Sequence, residues 1–187
     1  MSVRRPEAIL DELLVLRCRA GDRWAAERLA ERWHPRLLRH AWRLTGQEDA
    51  AADAVQEAWL AIVRGLARLD DPARFRAWAY RITGNKCRDW IRRQGRTRRV
   101  RERLAHEPRL EAVDPEPVSA PPERAEQRLA RAIEDLPAER RALLAMFYSQ
   151  GLSVGEISGA LGIAAGTVKS RLFHARRALR RTLEVDP

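Results

Sequence analysis

A basic and partly aromatic set of side chains near the end of the chain has the residue types expected of a DNA-reading surface. Between residues 169 and 181 the sequence holds six basic residues and no acid. Val168, Leu172, Ala175 and Leu179 recur at helical spacing, which predicts that they face inward. We expect the remaining side chains to contact base edges and phosphates: Thr167, Lys169, Ser170, Arg171, Phe173, His174, Arg176 and Arg177.

The chemistry of this set favours a surface that binds nucleic acid over one that is merely solvated. Arginine forms bidentate hydrogen bonds with guanine and with phosphate, and an outward Phe173 can meet the methyl group of thymine. The net charge of +10 also indicates a polyanionic partner. A solvated basic helix is the alternative interpretation. A GC-rich genome would explain the preference for arginine over lysine, but it would not explain where the charge sits.

No set of residues resembles a catalytic or metal-binding site. The four histidines are scattered along the chain, and Cys18 and Cys87 are isolated, without the CxxC spacing of a zinc site. There is no glycine-rich phosphate loop and no nucleophile in a tight turn. We therefore expect a protein that is not an enzyme and that needs neither a cofactor nor a metal.

Helices must position these side chains. Ser153 and Glu156 have the spacing of a capping box, and Gly162 supplies a turn before a second, basic helix. This succession predicts a helix-turn-helix that places its second helix in the major groove. Apolar periodicity predicts further helices throughout, and an all-α fold: residues 7–20, 24–44, 48–68, 73–94, 125–134, 138–149 and 153–182.

Charge and proline divide the chain into two small helical domains. Residues 88–103 hold eight arginines against two acids, whereas residues 107–126 hold six acids against two arginines, together with five prolines. Such a proline-rich segment predicts a flexible acidic linker. We expect domains at residues 1–98 and 123–187, joined by a linker at residues 99–122.

The C-terminal run DLPAERRALLAMFYSQGLSVGEISGALGIAAGTVKSRLFHARRALRRTL resembles region 4 of the sigma-70 family, in its compact extracytoplasmic-function (ECF) group. In that family the GTVKSRL helix reads the −35 promoter element. The resemblance implies this role for residues 167–177, with His174 departing from the arginine that the family often has. Gly155 is a second departure, because the family usually has a larger residue there.

The run HPRLLRHAWRLTGQEDAAADAVQEAWLAIVRGL is similar to the sigma segment that binds the clamp of RNA polymerase. We expect an apolar stripe of this segment to face the core of the domain: Val55, Trp59, Ile62, Val63 and Leu66. Without the resemblance, Gln56 and Glu57 would be interpreted as ordinary solvated residues. With it, we expect a polymerase-binding set: Asp53, Gln56, Glu57, Trp59 and Leu60.

The run FRAWAYRITGNKCRDWIRRQGRTRR resembles the sigma region 2 segment that melts the promoter and recognises the −10 element. The resemblance places a single-strand pocket at about residues 69–75. Helical spacing places Phe75, Trp78, Ala79, Ile82 and Trp90 on one face, and we expect most of them in the core. For Trp78 it favours a structural role over base stacking, whereas Tyr80 and Asn85 are left free to meet DNA. The candidate residues for −10 recognition and melting are Arg74, Phe75, Trp78, Tyr80, Asn85, Lys86, Arg88 and Arg92, with Arg76 and Arg93 as further phosphate contacts.

These resemblances imply a cytoplasmic sigma factor with three partners: core RNA polymerase (the β′ clamp and the β flap), promoter DNA and an anti-sigma factor. No apolar run is long enough for membrane insertion. The acidic linker either threads towards the polymerase active-site channel or merely keeps the chain soluble. The alternative function is a stand-alone helix-turn-helix regulator, which would bind its operator without polymerase.

Overall fold

The computed structural model describes the backbone of residues 6–104 and 125–184, and the side chains of residues 6–95 and 126–183. The first half contains α1 (Pro6–Arg19), α2 (Arg23–Thr45), α3 (Glu48–Gly65) and α4 (Phe75–Leu104). The second half contains α5 (Ala125–Glu134), α6 (Ala138–Leu144), α7 (Val154–Leu161) and α8 (Ala165–Glu184). Neither described segment contains a strand, which confirms the predicted all-α class. None of the described helices has both the length and the apolar character that crossing a bilayer requires.

Local signals in the sequence determine where the helices begin and end. Asp22 caps α2 by accepting a hydrogen bond from the backbone of its first turn, and Gly46 ends that helix in the left-handed conformation. Ser153 and Glu156 form both hydrogen bonds of the predicted capping box. Gly162 ends α7 with φ of 68°, a conformation that favours glycine. The helix-turn-helix predicted from the sequence is therefore present.

An aromatic cluster at the centre of the first half joins α2 to α4. The Trp33 ring lies edge-on to Phe75 and Tyr80, with centroids 5.3 and 5.6 Å apart, and His40 lies 5.0 Å from Tyr80. All four residues are almost completely buried. Edge-to-face contacts of this kind add to the energy of burial, so the cluster fixes the start of α4 against α2.

The apolar core continues into the second half. Met146, Ile157 and Val168 are fully buried, and Leu172 and Ala175 continue the buried side of α8. Because this side of α8 is buried in the core, the other sides of the helix face outward in one fixed orientation.

The two halves also pack against each other. Helix α7 lies on α4, and α6 lies on α2. Arg76 of α4 donates a hydrogen bond to the backbone carbonyl of Gln150 at 2.9 Å and lies 3.8 Å from the carboxylate of Glu156. Its side chain is only 11% exposed. Arg76 was predicted to contact phosphate, and in this arrangement the second half covers it instead.

The helix α4 continues past the domain boundary that we predicted at residue 98. It ends at Leu104, and the first proline after it is Pro108, so nothing in residues 99–104 interrupts the helical hydrogen bonds. The first six residues of the predicted linker are therefore helical, and the domain boundary at residue 98 stays a prediction. The rest of the predicted linker lies outside the described residues.

Candidate nucleic-acid and protein interfaces

Helix α8 exposes the whole side-chain set that we predicted to read DNA. Val168, Leu172 and Ala175 are buried, as the periodicity indicated. Phe173 is 56% exposed, and its ring packs edge-on against His174 with centroids 5.5 Å apart. The exposed members are Thr167, Lys169, Ser170, Arg171, Phe173, His174, Arg176 and Arg177.

Arg180 and Arg181 extend this surface along the C-terminal half of α8. Arg176, Arg177, Arg180 and Arg181 line one groove together with Phe173. Arg176 is partly held in place, because its Nε donates a hydrogen bond to the carbonyl of Leu172 at 3.2 Å. A row of guanidinium groups of this kind suits the phosphates of a nucleic-acid backbone.

An apolar groove of about 1080 Å³, which we did not predict, lies beside α8. Trp42, at the end of α2, lines it and is 56% exposed. Arg43, Arg141 and Arg180 add positive charge to the lining. The one sequence signal was the four-residue spacing of Leu179 and Leu183. The apolar lining from the second half comprises Leu129, Ile133, Leu144, Tyr148, Leu179 and Leu183.

A stripe of exposed side chains runs along α3, and we call Asp53, Gln56, Leu60 and Val63 the docking stripe. Their spacing of three and four residues places them on one side of the helix. Leu60 is 54% exposed and Val63 is 71% exposed. The prediction that Val63 faces the core is wrong, because its helical position falls with Gln56 and Leu60, whereas Ile62 turns inward. Glu57 and Trp59 are half-buried at the edge of the stripe.

A groove of about 280 Å³ between α3 and α4 joins the docking stripe to the basic helix. Glu57 lies in it and accepts a hydrogen bond from the Lys86 ammonium at 3.0 Å, while its other oxygen lies 3.6 Å from the Arg93 guanidinium. The bond from Lys86 is the main cause that lowers the pKa of Glu57. Glu57 is therefore ionised at neutral pH and is shared by two cations.

A different side of α4 faces solvent. Asn85, Arg88 and Arg92 are exposed there, with Arg81 one turn before Asn85. Within this outer face, the Asn85 side-chain oxygen accepts a hydrogen bond from Arg88, and Asp89 pairs with Arg92. Arg81 was missed from the sequence, although its position four residues before Asn85 was the signal that could have found it.

Two residues predicted to face DNA lie in the core instead. Tyr80 is 2% exposed and Phe75 is fully buried, both against Trp33. Burial raises the pKa of Tyr80 to about 12. It also lowers the pKa of the adjacent His40 to about 4, with the charges of Arg43 and Arg88 contributing. The prediction that Tyr80 is free to meet DNA is therefore wrong, because position 80 faces α2.

The loop before α4 is anchored at both ends and exposed in between. Leu69 and Phe75 are buried, whereas Asp71 accepts a hydrogen bond from the backbone of Ala73 and lies 3.5 Å from Arg74. Arg74 is mostly exposed. The loop thus offers one guanidinium group and two acids between fixed ends.

Trp78 is half-buried against α3, at the other side of this loop. A Cβ atom at Gly65 would lie 2.8 Å from Cζ2 of the Trp78 ring. Since real Cβ atoms essentially never approach so closely, the absence of a side chain at Gly65 lets the ring pack there. This contact gives Trp78 a structural role.

Comparison with known proteins identifies two family models in this chain. The Sigma-70 region 2 model matches residues 29–97, and the Sigma-70, region 4 model matches residues 126–179. The chain is 36% identical over 166 residues to the ECF RNA polymerase sigma factor SigM of Mycobacterium tuberculosis, covering 88% of this chain and 80% of that protein. It is 40% identical over 149 residues to SigL of the same species, covering 79% and 82%. The fold resembles the sigma factor RpoE from Bartonella quintana, solved with the anti-sigma factor NepR, with a TM-score of 0.65, 24% identity and coverage of 86% of this chain and 98% of that one.

Proposed function

The chain belongs to the sigma-70 family, as an ECF RNA polymerase sigma factor, and we propose that its exposed surfaces divide the work of promoter-specific initiation. One observation carries this division: regions 2 and 4 occur in the family's order, each with its own exposed surface. The docking stripe binds polymerase, the outer face of α4 holds the opened strand, and α8 reads the upstream element.

The docking stripe has the chemistry of a protein contact. Asp53 and Gln56 offer polar groups at one end, and Leu60 and Val63 offer apolar surface at the other. Polar groups beside exposed apolar side chains suit a specific protein interface. We assign it to the β′ clamp, and Val63 extends the set expected from the sequence.

The apolar groove beside α8 suits a second polymerase contact. Its leucines and Tyr148 can bury one side of an amphipathic segment, and its arginines can pair with acids along the edges of that segment. We assign this groove to the β flap.

Promoter contacts divide between the two basic surfaces. On α8, exposed Arg171 and Lys169 are placed to meet bases and phosphates of the −35 element, and Phe173 to meet a thymine methyl. On α4, Asn85 has a donor and an acceptor for an unstacked base, while Arg88 and Arg92 hold phosphates. The exposed Arg74 extends this track into the preceding loop.

Reconstitution tests the proposal directly. The purified chain should co-elute with cognate core polymerase and direct run-off transcripts from specific start sites. It should bind duplex promoter weakly alone and tightly as holoenzyme. Specific binding to duplex DNA without polymerase, together with no transcripts, would instead identify a stand-alone regulator.

We further propose that an anti-sigma factor controls this chain. RpoE, which shares its fold, was solved in such a complex. The docking stripe and the apolar groove both present unpaired apolar surface, and a protein that covered them would block polymerase. Because core polymerase and promoter DNA are its proposed partners, we place the chain in the cytoplasm.

A further inference from the structure

Helix α4 carries its cations on two different sides, and on one of them the cations pair with an acid of α3. Asn85, Arg88 and Arg92 lie on the outer face, where Arg88 donates a hydrogen bond to Asn85 and Arg92 donates one to Asp89. Lys86 and Arg93 are seven residues apart, so they share a side of the helix, and that side faces α3. Both cations on this second side converge on Glu57.

We propose that Glu57 masks Lys86, together with Arg93, in the free chain, and that docking on polymerase releases these cations to bind promoter DNA. The inference rests on the proposed function, since it takes the docking stripe to be the polymerase contact. It makes Glu57 a positioning residue that links polymerase binding to DNA binding, rather than a simple docking contact.

The position of Glu57 makes this exchange possible. It follows Gln56 directly and precedes Leu60 by three residues, and all three line the groove that also contains Lys86. The Glu57 side chain is 44% exposed, so a protein seated on the docking stripe can reach its carboxylate. A polymerase cation that pairs with Glu57 would replace Lys86, whose ammonium then lies on α4 beside Asn85.

Salt dependence measures how many cations are available to DNA. Each cation that neutralises a phosphate of duplex DNA steepens the plot of log affinity against log salt by about 0.9. Between 50 and 200 mM salt, one such contact therefore changes the affinity by about three- to fourfold. A cation that is paired with Glu57 contributes little to this slope. The release of Lys86 should therefore steepen the slope by about the value of one further phosphate contact.

The first experiment uses the free full-length chain and a nonspecific DNA duplex, with fluorescence anisotropy over a salt series. Glu57→Gln should steepen the slope by about 0.9 or more. Glu48→Gln is the matched control: it makes the same chemical change at an exposed position of α3, where the structure, in the part of the chain it describes, gives Glu48 no ion pair. Adding Lys86→Gln to Glu57→Gln should return the slope towards that of the wild type. Equal slopes for Glu57→Gln and Glu48→Gln would overturn the proposal.

The second experiment compares Lys86→Gln in the free chain and in holoenzyme, with Glu57 intact. The substitution should leave the slope of the free chain unchanged and lower the slope of holoenzyme binding to promoter DNA by about 0.9. Equal effects in the two states, or no effect in holoenzyme, would contradict release on docking. Failure of the proposed function itself would look different, because the wild-type chain would then not bind core polymerase at all.

Discussion

Removing the apolar end of the docking stripe should weaken polymerase binding without destabilising the fold. Full burial of a leucine or valine side chain contributes about 1.5–3 kcal/mol. Leu60 and Val63 keep 54% and 71% of their surface exposed, so more than half of this contribution is still available to a partner. The Leu60→Ala, Val63→Ala double variant should therefore lose about 2–3 kcal/mol of binding free energy, or about 30- to 140-fold in Kd for core polymerase.

The assay is titration of labelled chain with core polymerase, paired with urea unfolding. Because both side chains are mostly exposed, the free energy of unfolding should change by no more than about 0.5 kcal/mol. The matched control is Leu13→Ala, Leu16→Ala on α1, where both leucines are 51% exposed but lie outside the docking stripe. An unchanged Kd for the α3 variant, or an equal loss for the α1 control, would refute the reasoning.

Three further predictions concern DNA and pH. The Lys169→Ala, Arg171→Ala variant should bind −35 duplex more weakly as holoenzyme, with about 1–3 kcal/mol from Arg171 if it contacts guanine; unchanged footprints would remove α8 from this role. Asn85→Ala should preserve holoenzyme assembly and −35 binding but reduce open complexes in permanganate footprinting, with rescue on premelted templates; wild-type opening on duplex would contradict it. His40 is buried with its pKa lowered from 6.5 to about 4, so the folded state takes up fewer protons than the unfolded state between these values. Stability should consequently fall by about 2 kcal/mol from pH 7 to pH 5 in urea unfolding, and His40→Leu should flatten this loss; parallel pH profiles would disprove it.

The helix-turn-helix was predictable because its determinants are local. The Ser153 and Glu156 capping box, the Gly162 turn and the spacing of Val168 and Leu172 all act within about twenty residues. Each of these signals favours the same structure, so the exposed side of α8 followed from the sequence without knowledge of its neighbours.

The errors concern positions whose surroundings depend on another helix. Periodicity predicts on which side of α4 Tyr80 lies. It does not reveal that α2 packs Trp33 and His40 against that side. Val63 shows the opposite case, since its apolar side chain suggested burial although no described neighbour covers most of it. The apolar groove was missed for the same reason, because Trp42 and Leu129 meet only through the packing of the two halves.

Residue type and helical spacing overestimate the number of residues on α4 that can hold an opened strand. Burial removes Phe75 and Tyr80 from the predicted set, and the ion pair with Glu57 sets Lys86 apart from the outer face. An arginine that contacts phosphate does so whatever the base sequence, so we expect Arg88 and Arg92, as phosphate contacts, to supply affinity rather than base preference. On the outer face, Asn85 is then the side chain with both a donor and an acceptor for a base edge. We therefore expect selectivity in strand opening to depend on Asn85 and on the loop that precedes α4, and we expect Asn85→Ala to separate opening from assembly.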